Sequence, residues 1–477
     1  MRLALLFVGL LSYQGIAQLS GSNLLEYSYG KLPNENEKSF HAAYSKPILN
    51  YRWDNIKAVV GLQTYQSPYS DRNYIDLSWL GVNYKNKNWD ISVGNFNSTL
   101  ERGILLRSYE IQGALLEDLS FRGKHYFYRD ILGASVGFKR KGFRVKALWG
   151  YALNSVFPPT RSFKERRSDE IAAISTDFKM LNQNIGFSSI RVKNEREESY
   201  YGSGNLSGTI TPNLSYYSSY ATSLNNDKAH ALYSSLNFSA ASFGISLELK
   251  DYRNFLLGSG INEPPALVRE HSYRVLNRTT HVLQPSNESG FQIEAFYSPN
   301  LNTTVILNYT QAKNGETITF NYQEWFAELN TSFTENTDVG LFLDYAQDPL
   351  KGQENRFSAG FTLLHKLSSE NFQSIGLEFN SQAFKRANQT MTNYVGDLTL
   401  QIKSKIVVNM LSEWSTDSFF TDSSRIWFGS TVHYKMNSKN KFALFAGERR
   451  GGPACNAGVC YEILDFKGVE LRWVARF

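Results

Sequence analysis

The side chains best able to do chemistry in this sequence gather in three stretches. In the first, Glu101-Arg102-Gly103-Ile104-Leu105-Leu106-Arg107-Ser108-Tyr109-Glu110, the charges of Arg102, Arg107 and Glu110 flank an apolar centre. The second, within 253–288, carries Arg269, His271, Arg274, Arg278 and His281, which could make a local cationic cluster. Guanidinium groups grip carboxylate or phosphate through two parallel hydrogen bonds, so these residues could build a constriction or an anion-facing surface. They could equally fill a lumen as a structural plug, the arginines pairing with Glu101, Glu110, Glu117 and Glu270, because a wide barrel must be filled or it leaks. The third stretch holds the two cysteines, Cys455 and Cys460, with four residues between them, turn-forming Asn456 and Gly458 included. A local disulfide suits that spacing in an exported protein, whereas a metal site would want more ligands, and no histidine lies within twenty residues.

Catalytic signatures are missing: there is no GxSxG elbow, HExxH pair, phosphate-binding loop or GxGxxG fingerprint. His433, His365 and His41 have no partner specified by spacing, and His433 reads as a lumen-wall histidine. No enzyme activity, metal or cofactor is therefore expected. The balance of 50 basic and 44 acidic residues, +6 overall, is spread along the chain and forms no stripe suited to nucleic acid.

What must position these stretches is a β-sheet. Met1-Arg2 precede the apolar run Leu3 to Leu11, and Gly15-Ile16-Ala17 supply a cleavage site before Gln18, so residues 1–17 read as a signal peptide and the mature chain leaves the cytoplasm. Nowhere do the roughly 20 consecutive apolar residues of a membrane-crossing helix occur. Beyond Gln18 the hydrophobicity alternates with period two. Val469, Leu471, Trp473, Ala475 and Phe477 share one face and Glu470, Arg472 and Arg476 the other, as expected of a strand with lipid outside and water inside. Ile406, Val408, Met410 and Trp414 oppose Lys405, Asn409 and Glu413 in the same way. A secreted array of sandwiches would also alternate, but it would expose bulky aromatics to water.

Short polar turns, such as Asn437-Ser438-Lys439-Asn440 and Lys85-Asn86-Lys87-Asn88, take turns with longer connections such as 415–423 and 449–465. Short turns at one rim and long loops at the other describe an antiparallel, up-and-down transmembrane β-barrel of about 24 strands, within a range of about 20 to 26. Periodicity blurs at 97–130 and 199–222. No linker or charge block divides 18–477, so one barrel domain is expected. The apolar Ile104, Leu105 and Leu106 have no place in an exposed loop, which implies that 97–130 folds into the lumen, and the length and apolar content of 253–288 argue for an ordered, functional loop.

The segments Gly94-Asn95-Phe96 with 101–110, Asn262-Glu263-Pro264-Pro265 through His271 and Asn277-Arg278, and Glu448-Arg449-Arg450-Gly451-Gly452 with the cysteines and Phe466-Lys467-Gly468 resemble a large uncharacterised barrel family of Bacteroidota outer membranes. The resemblance runs over most of the mature chain and implies an outer-membrane location without an activity. His125-Tyr126-Phe127-Tyr128 departs from the family pattern and obscures the strand edges there. The expected function is a gated conduit or transporter for polar, anionic solutes favoured by the cationic loop. The alternative is a non-conducting subunit of an envelope secretion or assembly machine. Expected partners are outer-membrane lipids, the barrel-assembly machinery through the aromatic strand ending at Phe477, and an envelope lipoprotein or second barrel.

Overall fold

The computed structural model of the chain describes residues 18–31, 39–118, 123–226, 228–282, 286–315, 319–369, 371–417, 424–456 and 459–477. The signal sequence expected at 1–17 lies outside the described residues, as do the side chains of Cys455 and Cys460. Backbone amides inside a bilayer must find partners within the protein, and a sheet can satisfy that only by closing on itself. A sheet of 24 antiparallel strands does so here. The first strand, Gln18–Lys31, pairs with the last, Phe466–Arg476, from Ser22 opposite Arg476 to Lys31 opposite Lys467. The Gly21 amide then donates to the Phe477 carbonyl at 2.9 Å, and the Phe477 amide returns the bond at 3.0 Å.

Each strand carries a lipid face and a lumen face. On Thr337–Asp348, Leu341 and Leu343 stand exposed outward while Phe342, Asp344, Ala346 and Asp348 are buried inward. Outward rings form a ladder from Phe361 to Phe379, Tyr394 and Trp414, with centroids 6.3, 6.1 and 5.3 Å apart. Such cross-strand ring pairs suit the aromatic girdle of a membrane barrel. The blurred stretch at 199–222 proves to be two regular strands, Glu198–Thr211 and Leu214–Ser223. Its alternation faded because Gly202, Ser203, Gly204, Ser207 and Gly208 populate both faces with small residues.

One rim is made of tight turns, such as Lys141-Gly142, where φ of +40° and +81° suits the hairpin geometry that matches strand twist. The other rim carries the long connections at 97–130, 153–168, 254–286 and 450–465. One link at that rim, Ala387-Asn388, is as short as any turn. The sheet skips the long insertions: Trp89–Phe96 pairs directly with Ile131–Arg140, and Asn440–Arg449 with Phe466–Arg476. Within the insertions lie three two-stranded ladders of their own: Thr99–Leu100 with Leu106–Arg107, Tyr109–Asp118 with Gly123–Arg129, and Gly452–Asn456 with Val459–Ile463. The aromatic stretch His125–Tyr128 belongs to the second of these ladders.

Burial along the lumen face shows how deep the insertions reach. On Phe320–Thr334 the inward Tyr322, Glu324 and Phe326 are buried, Glu328 is half-buried and Asn330 is exposed. Gln389–Ile402 repeats the change, from Met391, Asn393 and Val395 to Asp397, Thr399 and Gln401. Asp169–Met180 does so on the far side of the ring, from Asp169, Ile171 and Ala173 to Ser175, Asp177 and Lys179. A plug therefore fills the long-loop half of the lumen, and the short-turn half remains open to water.

Leu341→Arg, on the lipid face near mid-strand, is expected to destabilise the barrel by about 2–4 kcal/mol, whereas Thr362→Arg on the lumen face should cost well under half of that. Denaturant unfolding in lipid vesicles measures both, and equal costs would mean that the two faces have been assigned wrongly.

Candidate functional site

The plug has an apolar half and an ionic half. Ile104, Leu105 and Leu106 are buried against wall residues Ile131, Ile171 and Ile190 and against Phe255, Leu257, Ile261 and Leu267 of the second loop. Full burial of such side chains stabilises by about 1.5–3 kcal/mol each. Backbone bonds stitch the two loops together: the Glu263 amide donates to the Gly103 carbonyl at 2.9 Å and the Arg107 amide to the Ile261 carbonyl at 3.1 Å. At Gly103, φ is +96° and a Cβ would come within 2.3 Å of the Glu263 carbonyl, so only glycine fits this contact. Glu101 accepts from Ser188, Asn205 and Ser219 of the wall at 2.7, 3.0 and 3.3 Å.

The sequence candidates in this half are all engaged. Arg102 lies over the Tyr217 ring at 3.7 Å, a cation–π contact. Arg107 faces Glu263 at 3.4 Å, and Glu110 takes the Lys46 ammonium at 3.1 Å. Burial raises the Glu263 carboxyl above its ordinary range, with Arg107 and Arg129 pulling it back in part.

In the second half the cluster expected of Arg269, His271, Arg274, Arg278 and His281 is not assembled as one; Arg274 and Arg278 stay together on Glu413, and the others go to carboxylates of different strands. Arg269 bridges Glu294 and Glu328, the latter at 3.2 Å. His271 meets Glu324 at 3.3 Å. The short helix Arg274–Thr279 brings Arg274 and Arg278 to the buried Glu413 at 3.6 and 2.9 Å. His281 stands between Asp348 at 3.2 Å and Glu288 at 3.4 Å, stacked on the Tyr322 ring. The physical reason is desolvation: unpaired cations buried together would cost several kcal/mol each, so each takes an anion from the wall. Two of the anions that the plug reading of the sequence gave to the arginines, Glu110 and Glu117, pair instead with Lys46 and Lys124.

The third insertion completes the closure. Arg278 donates to the carbonyls of Gly451 and Arg450, the latter at 3.1 Å, and Tyr461 packs on Phe127 with ring centroids 5.4 Å apart. Burial and the like charge of Arg278 hold the Arg450 guanidinium down at about 10. Under this hairpin, Glu26, Glu117 and Glu470 converge closely enough to hold a cation, but the Lys124 ammonium already meets all three.

Sequence reading missed the wall half of the site: Arg356, fully buried and bonded to Glu324 at 3.0 Å and Asp344 at 3.2 Å, along with Glu413 and Asp348. The available signal was a charge on the inward parity of a strand near its long-loop end. It also missed the loop at 153–168, where Ser162 and Glu165 form a capping box, and where Arg167 reaches Asp130 at 2.7 Å.

A closed sheet with a lipid-facing apolar belt and a plugged polar lumen defines an integral β-barrel of the outer-membrane type. A model of a family of unknown function, DUF6029, matches residues 28–443, and the chain belongs to that family. No curated protein matches it. Among solved structures it is similar to the P pilus usher PapC translocation pore (TM-score 0.49, 9% identity, 96% of this chain and 99% of that one). It is similar as well to the siderophore receptor PirA from Pseudomonas aeruginosa (0.45, 10%, 98% and 81%) and to OccK5 (OpdH) of the same organism (0.38, 10%, 84% and 97%).

His281 makes the ionic half pH-dependent. Burial alone would lower its pKa, but hydrogen bonds and attraction from Asp348 and Glu288 outweigh burial and raise it. Lys250, Lys351 and Arg356 face the same carboxylates. A raised histidine pKa gives a stabilisation fully present below about 6.5, the unfolded value, and lost as pH rises through the folded value. Hydrogen exchange in 269–282, corrected for intrinsic rate, is expected to accelerate as pH rises through that value and to lose this step in His281→Gln. An unchanged step in the variant would assign it elsewhere.

Proposed function

We propose that the protein is a gated outer-membrane conduit for polar solutes, closed at its long-loop end by its own plug. The observation that carries this is the division of the lumen into a filled half and a water-open half lined by hydroxyls, amides and charges. The two halves of the plug differ in strength. Residues 97–108 and 254–267 are anchored by a large apolar cluster, whereas 269–282 has a smaller one, Tyr273, Val275 and Leu276 against Phe326, Phe342 and Val395, and relies beyond it on ion pairs, whose attraction is largely offset by the desolvation of the partners. The ionic segment is the part that moves. The anionic preference belongs to this reading only in so far as the loop cations come free of their carboxylates. We assign the chain no enzymatic reaction.

Export by the N-terminal signal, residence in a Bacteroidota outer membrane, contact with its lipids and insertion by the barrel-assembly machinery through the strand ending at Phe477 are parts of the same proposal. A second reading, a non-conducting subunit that partners an envelope lipoprotein or a second barrel, is favoured by one observation: the three insertions bind one another as well as the wall.

Single-channel recording in planar bilayers separates the two. Glu413→Gln, which unpairs Arg274 and Arg278, should raise open probability at least about tenfold over wild type, the loss of roughly 1.4 kcal/mol of closure. Wild type and variant both folded and both silent would reject the conduit in favour of the subunit.

The ladder of the third insertion sets Cys455 opposite Cys460. We propose that they form a disulfide, pinning that hairpin above the plug. Intact mass before and after reduction should differ by about 2 Da, the two hydrogens a disulfide lacks; two alkylatable thiols in the unreduced protein would disprove it.

A further inference from the structure

Below the plug the lumen charges are sorted by side. From Phe40–Trp53 round to Asp169–Met180, the inward positions of the open half carry Arg52, Lys57, Lys139, Arg144, Lys146 and Lys179. Their direction follows from neighbours two or more residues along the same strands: Lys46, on the strand of Arg52, reaches Glu110 of the plug, and Lys146 itself reaches Ser98 at 2.7 Å. Asp90, held by Lys85 at 2.8 Å, and Asp177, paired across from Arg144, are the acids of this arc.

From Phe243–Arg253 to Gln389–Ile402 the inward positions carry the opposite sign: Glu248, Asp338, Glu378 and Asp397, with Glu294 and Glu328, held by Arg269, at the border with the plug. Tyr233 donates to Glu248 at 2.8 Å, Ser332 to Asp338 at 2.7 Å and Asn409 to Asp397 at 2.6 Å, contacts that place these carboxylates on the lumen side. Arg269 from the plug and Lys366, 4.0 Å from Asp338, offset this arc only in part. Trp89–Phe96, in the middle of the basic arc, is the fifth strand of the ring, and Thr337–Asp348 in the acidic arc is the seventeenth. The arcs face each other across half the ring.

A round barrel of this strand number, at about 4.8 Å between strands and about 40° tilt, is roughly 50 Å across between backbones. The screening length at physiological salt is only about 8 Å, so the arcs do not cancel at the middle of the lumen and each governs its own wall. We infer that the open half of the lumen is a two-sided electrostatic filter: anionic solutes concentrate along the basic arc, cationic solutes along the acidic arc, and a solute carrying both charges is oriented at either wall. The use of this filter in permeation rests on the conduit reading. The separation of potentials does not.

The test is therefore made without current. In a Cys455→Ser, Cys460→Ser background, Asn50→Cys marks the basic arc and Thr399→Cys the acidic arc. Each is reacted from the short-turn side with a cationic and an anionic methanethiosulfonate of similar size. Should the serine background not fold, the same thiols are added to the native chain and its own rate subtracted. The cation-to-anion rate ratio at Thr399→Cys is expected to exceed that at Asn50→Cys by at least about tenfold at low salt, the size of surface potentials of this kind, and to converge in molar salt. Equal ratios at both positions would overturn the inference and leave the conduit standing. Split ratios with silent bilayers would remove the conduit and keep the filter.

Discussion

A sheet in a bilayer cannot have an open edge, and the rest of this structure follows from meeting that constraint with 24 strands. Small barrels fill their interiors with the side chains of their own walls, but a ring of this size cannot, so whatever closes it must come from outside the sheet. The chain supplies that material at one rim only. Short hairpins, most of two residues, leave nothing to spare at the other, and the result is a lumen stoppered from one end rather than filled throughout.

The wall decides what kind of plug can fit. Lumen-facing positions alternate with lipid-facing ones and are polar by default, so an insertion that covers them must satisfy their hydrogen bonds and charges. On the side of Ile131, Ile171 and Ile190 the wall offers apolar side chains and receives Ile104, Leu105 and Leu106. On the side of Glu294, Glu324, Glu328 and Glu413 it offers carboxylates and receives Arg269, His271, Arg274 and Arg278. The plug is thus a cast of two different walls, and its unequal attachment is inherited from them.

The fold was legible because strand period and turn rhythm are local signals. Alternation in 466–476 or 337–348, together with turns such as Lys85-Asn86-Lys87-Asn88, reveals lipid and lumen faces without knowledge of any distant residue. The signal failed where both faces of a strand meet protein, as in Tyr109–Asp118 with Gly123–Arg129, or carry only small residues, as in Glu198–Thr211. The site was legible by half. Residue type picked out the cations of the second loop, but their partners are set by closure of the ring: Glu413 lies 135 residues beyond Arg278 in the chain. An anion-binding cluster was therefore a fair reading of the loop alone, and pairing with the wall is what the loop becomes once the wall is present.

That pairing bears on what the lumen would be if the ionic segment withdrew. The carboxylates that hold it, Glu288, Glu294, Glu324, Glu328, Asp348 and Glu413, are fixed on strands, whereas Arg269, His271, Arg274, Arg278 and His281 would leave with the segment. Lys250 and Arg356 would remain on the wall to offset only part of the charge. Self-repulsion among the uncovered carboxylates opposes withdrawal and draws the segment back, so closure restores itself. The rest of the acidic arc, Glu248, Asp338, Glu378 and Asp397, continues the same stripe of strands below the plug, which gives a displaced guanidinium a second set of anions to rest on. A segment moving between two acidic stations loses less in leaving the first than its list of ion pairs suggests, and a charged plug of this kind can be both tightly paired and displaceable.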